Sequence, residues 1–134
     1  MKTLYIVRHA KSSWDFPHLD DHDRPLNKRG KKAAPLMGKR LKKKGVLPER
    51  VVSSTAKRAR NTCALIMREL GFPESSVILD QELYDFGMSG ILSVIQRQPE
   101  SSSLMIFGHN PAFTSLANYL ANLDIDNVPT AGVV

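Results

Sequence analysis

LYIVRH, residues 4–9, is a short apolar run that ends on an arginine and a histidine. An unbroken and partly β-branched apolar run is typical of a strand that is buried on both faces of a sheet. LMIFGHNP, residues 104–111, repeats the arrangement, because another apolar run there ends on Gly108 and His109. The two segments therefore predict two buried strands, with His9 and His109 at the end of each.

Strand and helix patterns alternate along the rest of the chain. Helices are predicted over residues 30–44, 56–70, 90–98 and 111–122, with further strands over residues 51–52 and 77–79. This alternation predicts the α/β class, as a three-layer α/β/α sandwich with a mostly parallel central sheet. Ligands of such sheets bind beyond the carboxyl ends of the strands. Residues 131–134 look like the opening of one more strand.

Length and composition narrow the class of protein. A chain of 134 residues with 42% apolar content predicts one domain, residues 1–134. Cys63 is the one cysteine and falls on the apolar stripe of its helix, so we expect it in the core. The lack of a disulfide, of a membrane-length apolar run and of a signal sequence predicts a cytoplasmic protein with no membrane partner.

The charge favours anionic partners. The formal net charge is +6, and residues 28–44 hold nine lysines and arginines. Phosphates, nucleic acids and acidic protein surfaces would all suit this charge, which does not choose among them. A solvated helix face is the preferred interpretation of residues 28–44, with a dedicated binding patch as the alternative.

A long polar loop, residues 12–29, follows the first strand, and its length suggests that it covers something. Its acidic and histidine side chains resemble a metal cluster in composition, but a solvated loop is the preferred interpretation. Those side chains are His18, Asp20, Asp21, His22 and Asp23. Trp14 either lines the mouth of a pocket or anchors the loop by packing.

Three arginines stand where an anion would need them. A phosphoryl group in transfer spreads negative charge over its oxygens, so a metal-free site needs several fixed positive donors around one nucleophile. Arginine suits this role because its planar fork binds two oxygens. Arg8 precedes His9, Arg58 follows the second strand, and Arg24 lies in the covering loop. Arg60 lies two residues from Arg58 on the same helix, so the two cannot both face a pocket squarely.

Three motifs in this order resemble a known family. They are RHA at residues 8–10, STAKRA at residues 54–59 and GHNP at residues 108–111. Together they resemble the histidine phosphatase superfamily, which has the phosphoglycerate mutase-like fold. The short chain, the RPL of residues 24–26 before Gly30 and the lack of an inserted cap look most like the SixA-type phosphohistidine phosphatases. The resemblance runs over nearly the whole chain.

The resemblance implies a mechanism and a set of site residues. His9 is the nucleophile and becomes phosphorylated, and water then releases phosphate from it. The implied catalytic residues are His9, Arg8, Arg58 and His109, and the implied substrate-binding residues are Arg8, Arg24, Arg58 and His109. A neutral imidazole can attack phosphorus if a backbone acceptor holds its other nitrogen. No metal and no cofactor is expected.

Two departures from the family pattern bear on the substrate. Ala10 stands where the commoner motif has glycine, and we expect little loss from it. No carboxylate is placed convincingly to protonate a leaving oxygen; Glu82 and Asp85 are the nearest by order along the chain. A phosphoramidate needs such an acid less, because its leaving nitrogen can be protonated beforehand. The expected partner is therefore a protein that carries phosphohistidine.

Three alternatives remain open. The first is a phosphatase for a small phosphorylated substrate that uses the same His9 mechanism. The second is a non-catalytic module that binds phosphoprotein or another polyanion, although a pure binder has no need of a nucleophile at a strand end. The third, a mutase, needs a closed pocket and a well-placed acid, which a chain this short disfavours. A nucleic-acid partner is not expected.

Overall fold

Four parallel strands form the central sheet. In a computed structural model, which describes residues 3–85, 87–98, 103–121 and 128–134, they run in the order β1-β4-β2-β3. Strand β1 covers Thr3–Arg8, β2 covers Arg50–Ser53, β3 covers Ile78–Leu79 and β4 covers Ser103–Gly108. Ile106 of the central β4 lies opposite Ile6 on one side and Val52 on the other. The first and fourth strands in sequence are thus neighbours, and both end at one edge of the sheet.

Among the residues that the structure describes, five α-helices flank the strands. They are α1 at Lys28–Lys43, α2 at Lys57–Leu70, α3 at Glu82–Asp85, α4 at Gly87–Arg97 and α5 at Ala112–Ala121. The four predicted helices are confirmed, with α5 followed to Ala121 because its predicted end at Asn122 lies outside the described residues. Within the described part of the chain, no helix is long and apolar enough to cross a membrane.

Two helix starts differ from the prediction by more than one residue. Helix α1 begins at Lys28, two residues early, because the Asn27 side chain accepts the N–H of Gly30 at 2.8 Å and caps the helix. Helix α4 begins at Gly87 rather than Gly90. The short α3 was not predicted, since a helix of four residues is too brief to show a period.

Apolar side chains pack on both faces of the sheet. One face sets Val7, Val51, Met105 and Phe107 against α1 and α2, and the other sets Ile6, Val52, Leu104 and Ile106 against α4 and α5. This arrangement confirms the predicted three-layer α/β/α sandwich. Cys63 of α2 belongs to the first of these cores, and burial raises the pKa of its thiol to about 12. The thiol therefore stays protonated, as a core residue should.

Residues 131–134 pair with β1 on the side away from β4. The N–H of Ile6 donates to the carbonyl of Val134 at 3.0 Å, and that of Arg8 donates to Gly132 at 3.1 Å. Val133 pairs with Val7 in the antiparallel sense. The strand-like segment predicted at residues 131–134 is confirmed, and its direction makes the sheet mostly rather than wholly parallel.

Candidate active site

Two histidines meet where β1 and β4 end. His9 follows β1, His109 follows β4, and their ring centroids are 5.1 Å apart. The N–H of His9 donates to the carbonyl of Gly108 at 3.0 Å, so the ladder between the strands continues to the histidine itself. Both rings line a cavity of about 370 Å³, which Arg8, Arg24 and Arg58 also line. The structure thus brings together the five residues that the sequence singled out.

Close packing beneath His109 depends on the glycine before it. A Cβ atom on Gly108 would lie 2.5 Å from the ring of Phe113. Phe113 belongs to α5 and is fully buried, and its N–H donates to the carbonyl of His109 at 3.1 Å. Only glycine lets helix α5 begin so close to the strand end, which fixes the backbone that carries His109.

The His9 ring is held in one tautomer. Its Nδ1 lies 2.7 Å from the carbonyl oxygen of Ala10, which can only accept, so Nδ1 carries the proton and Nε2 keeps a lone pair. His9 is 8% exposed, and burial lowers the pKa of its ring to about 4. The imidazole is therefore neutral near pH 7. A neutral ring with a free Nε2 is the form that can act as a nucleophile.

Ala10 fits the position where the family more often has glycine. It is fully buried, and its N–H donates to Thr62 Oγ1 at 2.9 Å. The Thr62 hydroxyl in turn donates to the carbonyl of Arg58 at 2.7 Å. This chain of hydrogen bonds ties Ala10, whose carbonyl orients His9, to the first turns of α2.

His109 is set by a serine. Its Nε2 lies 2.8 Å from Ser54 Oγ, and that oxygen also accepts the N–H of Ala56 at 3.2 Å. Ser54 Oγ has no other acceptor in the described part of the chain, so we assign its hydroxyl proton to His109 Nε2, which leaves Nδ1 as the protonated nitrogen. Burial, followed by the charge of Arg58, lowers the pKa of His109 to about 3. The ring is a neutral donor rather than a cation at pH 7.

Asp21 joins two of the arginines. Arg58 is 6% exposed and donates from Nη1 to the Asp21 carbonyl and from Nη2 to its carboxylate at 2.9 Å. Arg24 is 8% exposed and donates from Nε to the same carboxylate at 3.1 Å. Tyr84 adds its hydroxyl at 2.7 Å. Burial acts to raise the pKa of Asp21, but the hydrogen bonds from Tyr84 and Arg58 outweigh it and lower the pKa to about 2.

The sequence did not predict this role of Asp21. It indicated only a solvated loop, with a metal cluster as the alternative interpretation. Among the described residues, no group of three histidine, cysteine or acidic side chains could hold a metal ion. The available signal was the spacing of Asp21 and Arg24, three residues apart before Pro25. Asp21 does not line the cavity, so its carboxylate supports the arginines from outside it.

The segment between β3 and α4 contributes an aromatic ring rather than an acid. Glu82 accepts from Arg97 at 2.9 Å, Asp85 accepts from Gln81 at 3.0 Å, and neither lines the cavity. Tyr84, between them, lies with its ring centroid 5.4 Å from that of His109 in an edge-on contact. The two carboxylates that are nearest by order along the chain therefore do not reach the cavity, and the Tyr84 ring lies beside His109 instead.

Arg60 shows why only one arginine of α2 serves the cavity. Its side chain is exposed and donates from Nε to the carbonyl of Thr55 at 2.8 Å. Arg58 is buried against the cavity. The expectation that the two cannot face the pocket together is confirmed.

Residues 128–134 also shape the site, which the sequence did not predict. The carbonyl of Val128 accepts from Arg8 Nη1 at 3.0 Å and from Asn110 Nδ2 at 2.9 Å. The N–H of Ala131 donates to the carbonyl of His9 at 3.1 Å, and Thr130 lines the cavity. The C-terminal segment therefore holds both residues of the Arg8-His9 pair.

Three buried donors around the cavity have no protein partner in the described part of the chain. They are Arg8 Nε, Arg58 Nε and His109 Nδ1, and all three residues line the cavity. An unsatisfied buried donor costs about 1–3 kcal/mol, more for a charged group. An oxyanion offers several acceptors at once and would relieve this cost. Fold and site together define an α/β protein with a cavity at the ends of its strands that arginine and histidine side chains line.

The family follows from comparison with known proteins. The pattern of the histidine phosphatase superfamily (branch 1) matches residues 4–91. The chain belongs to this superfamily, as the motifs predicted, and its phosphoglycerate mutase-like fold is confirmed.

Solved structures of SixA proteins superimpose closely on this chain. SixA from Agrobacterium tumefaciens, a proposed phosphohistidine phosphatase, shares 30% identity and superimposes with a TM-score of 0.89 over 99% of this chain and 90% of that one. The protein histidine phosphatase SixA complexed with tungstate shares 27% identity with a TM-score of 0.82, over 96% of this chain and 83% of that one. The SixA-like character of the fold is thereby confirmed.

Curated relatives are longer. A chloroplastic protein of Arabidopsis thaliana without a known role is 34% identical over 133 residues, which are 92% of this chain and 61% of that protein. The 2,3-bisphosphoglycerate-dependent phosphoglycerate mutase of Brucella ovis is 37% identical over 95 residues, 67% of this chain and 46% of the mutase. The chain thus spans about half to three fifths of the length of the curated relatives it matches.

Proposed function

We propose that the protein is a phosphatase that works through a phosphohistidine intermediate on His9 and acts on phosphohistidine in another protein. One observation carries the proposal. His9, with Nε2 free and Nδ1 held by Ala10, lines the same cavity as the unpartnered donors Arg8 Nε, Arg58 Nε and His109 Nδ1. That arrangement pairs one nucleophile with several fixed donors for phosphoryl oxygens.

In the first step, the lone pair of His9 Nε2 forms a bond to phosphorus while the bond from phosphorus to the leaving nitrogen breaks. The leaving imidazole departs neutral, because its other ring nitrogen has taken a proton from water before the bond breaks. The phosphorylated His9 ring is cationic, and its Nδ1 keeps the proton that it donates to the carbonyl of Ala10, a hydrogen bond that stabilises the charge. Arg8, Arg58 and His109 bind the phosphoryl oxygens, and Arg24 assists.

In the second step, water attacks phosphorus and the bond to His9 Nε2 breaks. The electron pair returns to the nitrogen, so His9 is neutral again and phosphate leaves. The low pKa of His9, about 4, favours this return, because the buried ring is more stable without charge. Splitting one displacement into two lowers the barrier of each.

The choice of phosphohistidine rests on the lack of an acid. No carboxylate lines the cavity in the described ranges, and Asp21 beside it is held ionised by its arginines. An alcohol leaving group needs a proton from such an acid, whereas an imidazole nitrogen can take its proton before departure. The similarity to SixA structures supports the same choice. A small phosphomonoester is the second candidate substrate.

The proposed chemistry needs no metal. Arg8, Arg24 and Arg58 supply the positive charge that a divalent ion would otherwise bring to the transferred group. A chelator should therefore leave the rate unchanged. A chelator-sensitive rate that Mg²⁺ restored would contradict this part of the proposal.

Phosphate release in the presence of a chelator tests the function. Wild type and His9→Ala are compared on a histidine-phosphorylated protein and on an aryl phosphate, with His18→Ala as an exposed histidine control. We expect the protein substrate to be hydrolysed by wild type and His18→Ala, with a loss of at least about 10³-fold in His9→Ala. Activity confined to the aryl ester would move the assignment to small phosphomonoesters. Activity retained in His9→Ala would refute the mechanism.

A further inference from the structure

A second cavity lies directly beside the candidate active site. Its volume is about 530 Å³. We call this cavity the basic groove, because Lys28, Arg29 and Lys31 line it, together with Phe16 and Asn27. Asn27 lines both this groove and the active-site cavity. Because the two cavities share this residue, they adjoin, and a ligand that extends beyond its phosphorylated side chain could reach the groove.

The charge of the basic groove is largely uncompensated. Lys28, Arg29 and Lys31 are exposed, and none of them forms an ion pair within the ranges that the structure describes. Helix α1 contains no acidic residue that could pair with them along its surface. Asp15 is the one carboxylate that lines the groove. The groove therefore presents net positive charge to an approaching partner.

Each of the two cavities is lined by one exposed aromatic side chain. Trp14 lines the active-site cavity and is 77% exposed, and Phe16 lines the groove and is 43% exposed. The guanidinium carbon of Arg24 lies 3.6 Å from the Trp14 ring centroid, so the indole is held in place although water covers most of it. Exposed, pre-ordered aromatic residues are typical of protein interfaces.

We propose that the basic groove, with Trp14 at its margin, docks an acidic surface of the phosphorylated partner protein next to the phosphohistidine that enters the active site. The proposal rests on the proposed function for its choice of a phosphorylated protein. Charge complementarity selects an acidic partner, and the aromatic side chains select a protein over a small anion. A small phosphomonoester would fill only the cavity at His9 and would leave the groove untouched.

Binding to two synthetic peptides tests the docking surface. Each peptide carries one phosphohistidine and a fluorophore, with four glutamates flanking the histidine in one and four lysines in the other. Fluorescence anisotropy with the His9→Ala protein, which does not consume the probe, gives both dissociation constants. We expect the glutamate peptide to bind about tenfold more tightly at low salt, the size that three exposed ion pairs supply, and less so as salt rises.

Two triple variants of the same helix locate the effect. One carries Lys28→Ser, Arg29→Ser and Lys31→Ser, and the control carries Lys42→Ser, Lys43→Ser and Lys44→Ser at the far end, about 20 Å away at 1.5 Å per residue. Both remove three positive charges. The preference for the glutamate peptide should vanish in the first variant and persist in the second. A preference that survives in the first variant, or falls equally in both, overturns the docking surface.

Two further readouts separate this inference from its alternatives. A single-stranded DNA of equal charge serves as a competing ligand. Tighter binding of this DNA than of the glutamate peptide, lost in the triple variant of Lys28, Arg29 and Lys31, would overturn the choice of a protein partner. Turnover of the same peptides by the protein with His9 intact reports on the proposed function by itself. Groove-dependent binding without His9-dependent turnover would refute the phosphatase and leave the docking surface standing.

Discussion

The two sides of the site are built in different ways. Arg8, His9 and His109 follow strands of one sheet, so backbone hydrogen bonds such as that from His9 to Gly108 place them. Arg24 and Trp14 lie in the loop of residues 12–27, where side-chain contacts place them. The first set inherits its positions from the topology, whereas the second set depends on Asp21, which links Arg24 to Arg58.

The loop is nonetheless fixed at both ends. The N–H of Ser13 donates to the carbonyl of Pro25 at 2.8 Å, and that of Asn27 donates to Lys11 at 2.9 Å. Gly30 allows this closure, because a Cβ atom there would collide with the backbone of Lys11. Among the described residues, the middle of the loop forms no backbone–backbone hydrogen bond with a strand. Replacing Asp21 should therefore distinguish the contribution of the loop from that of the strand ends most clearly.

Truncation of the arginines should cause the largest loss of activity and should distinguish the strand ends from the loop. Arg58→Ala should lower kcat/KM by about 10²–10³-fold, the size measured when one fixed oxyanion donor is removed. Arg24→Ala should cost about tenfold less, because the loop arginine assists a site that the strand ends already define. Arg60→Ala is the control, since its side chain is exposed and bound to Thr55. Equal losses for Arg24→Ala and Arg58→Ala would show that loop and strand ends contribute alike.

Removing the charge of Asp21 should give a smaller effect. Asp21→Asn keeps the size of the side chain but leaves two guanidinium groups without their shared carboxylate, so Arg24 and Arg58 should spread apart. We expect KM to rise about tenfold with kcat nearly unchanged, as when a binding contact is lost. Asp23→Asn, in the same turn and exposed, is the control. Tighter binding of tungstate to Asp21→Asn would instead mean that the carboxylate competes with the anion.

The smallest expected effect is a difference in acid sensitivity. Burial lowers the pKa of His9 to about 4 and that of His109 to about 3, from an ordinary value of 6.5. Below pH 6.5 the unfolded chain therefore binds protons that the folded chain does not. The contribution of the two neutral rings to the free energy of unfolding is fully present above pH 6.5 and is lost as the pH drops towards 4.

Thermal unfolding measures this difference between strand ends and loop. Between pH 7 and pH 4.5, the melting temperature of wild type should fall about 5 °C further than that of His109→Gln. His18→Gln, in the loop and exposed, should follow wild type. A parallel fall for wild type and His109→Gln would mean that the buried ring does not resist protonation.

The sequence was informative where long apolar runs decide the outcome. The strands that carry His9 and His109, and helices α1, α2, α4 and α5, were predicted within a few residues because their patterns are continuous. The sequence also indicated the cavity residues, since parallel strands must end at a common edge. Helix α3 escaped prediction because it is a single turn.

Side-chain partners were beyond the sequence. Nothing in the order of residues showed that Tyr84, rather than Glu82 or Asp85, would turn towards His109. The bond from Arg8 to Val128 joins positions 120 residues apart and leaves no local signal. Asp21 was misread for the same reason, because its partners are set by folding rather than by spacing alone.

Trapping the intermediate is the most direct test of whether His9 carries the phosphoryl group during turnover. Wild type is mixed with a histidine-phosphorylated protein, quenched within milliseconds under alkaline conditions that preserve phosphoramidates, and the site of phosphorylation is identified by mass spectrometry. We predict a phosphoryl group on His9 that forms and decays at the rate of turnover and is missing in His9→Ala. Turnover with no labelled histidine, or with the label on His109, would contradict it.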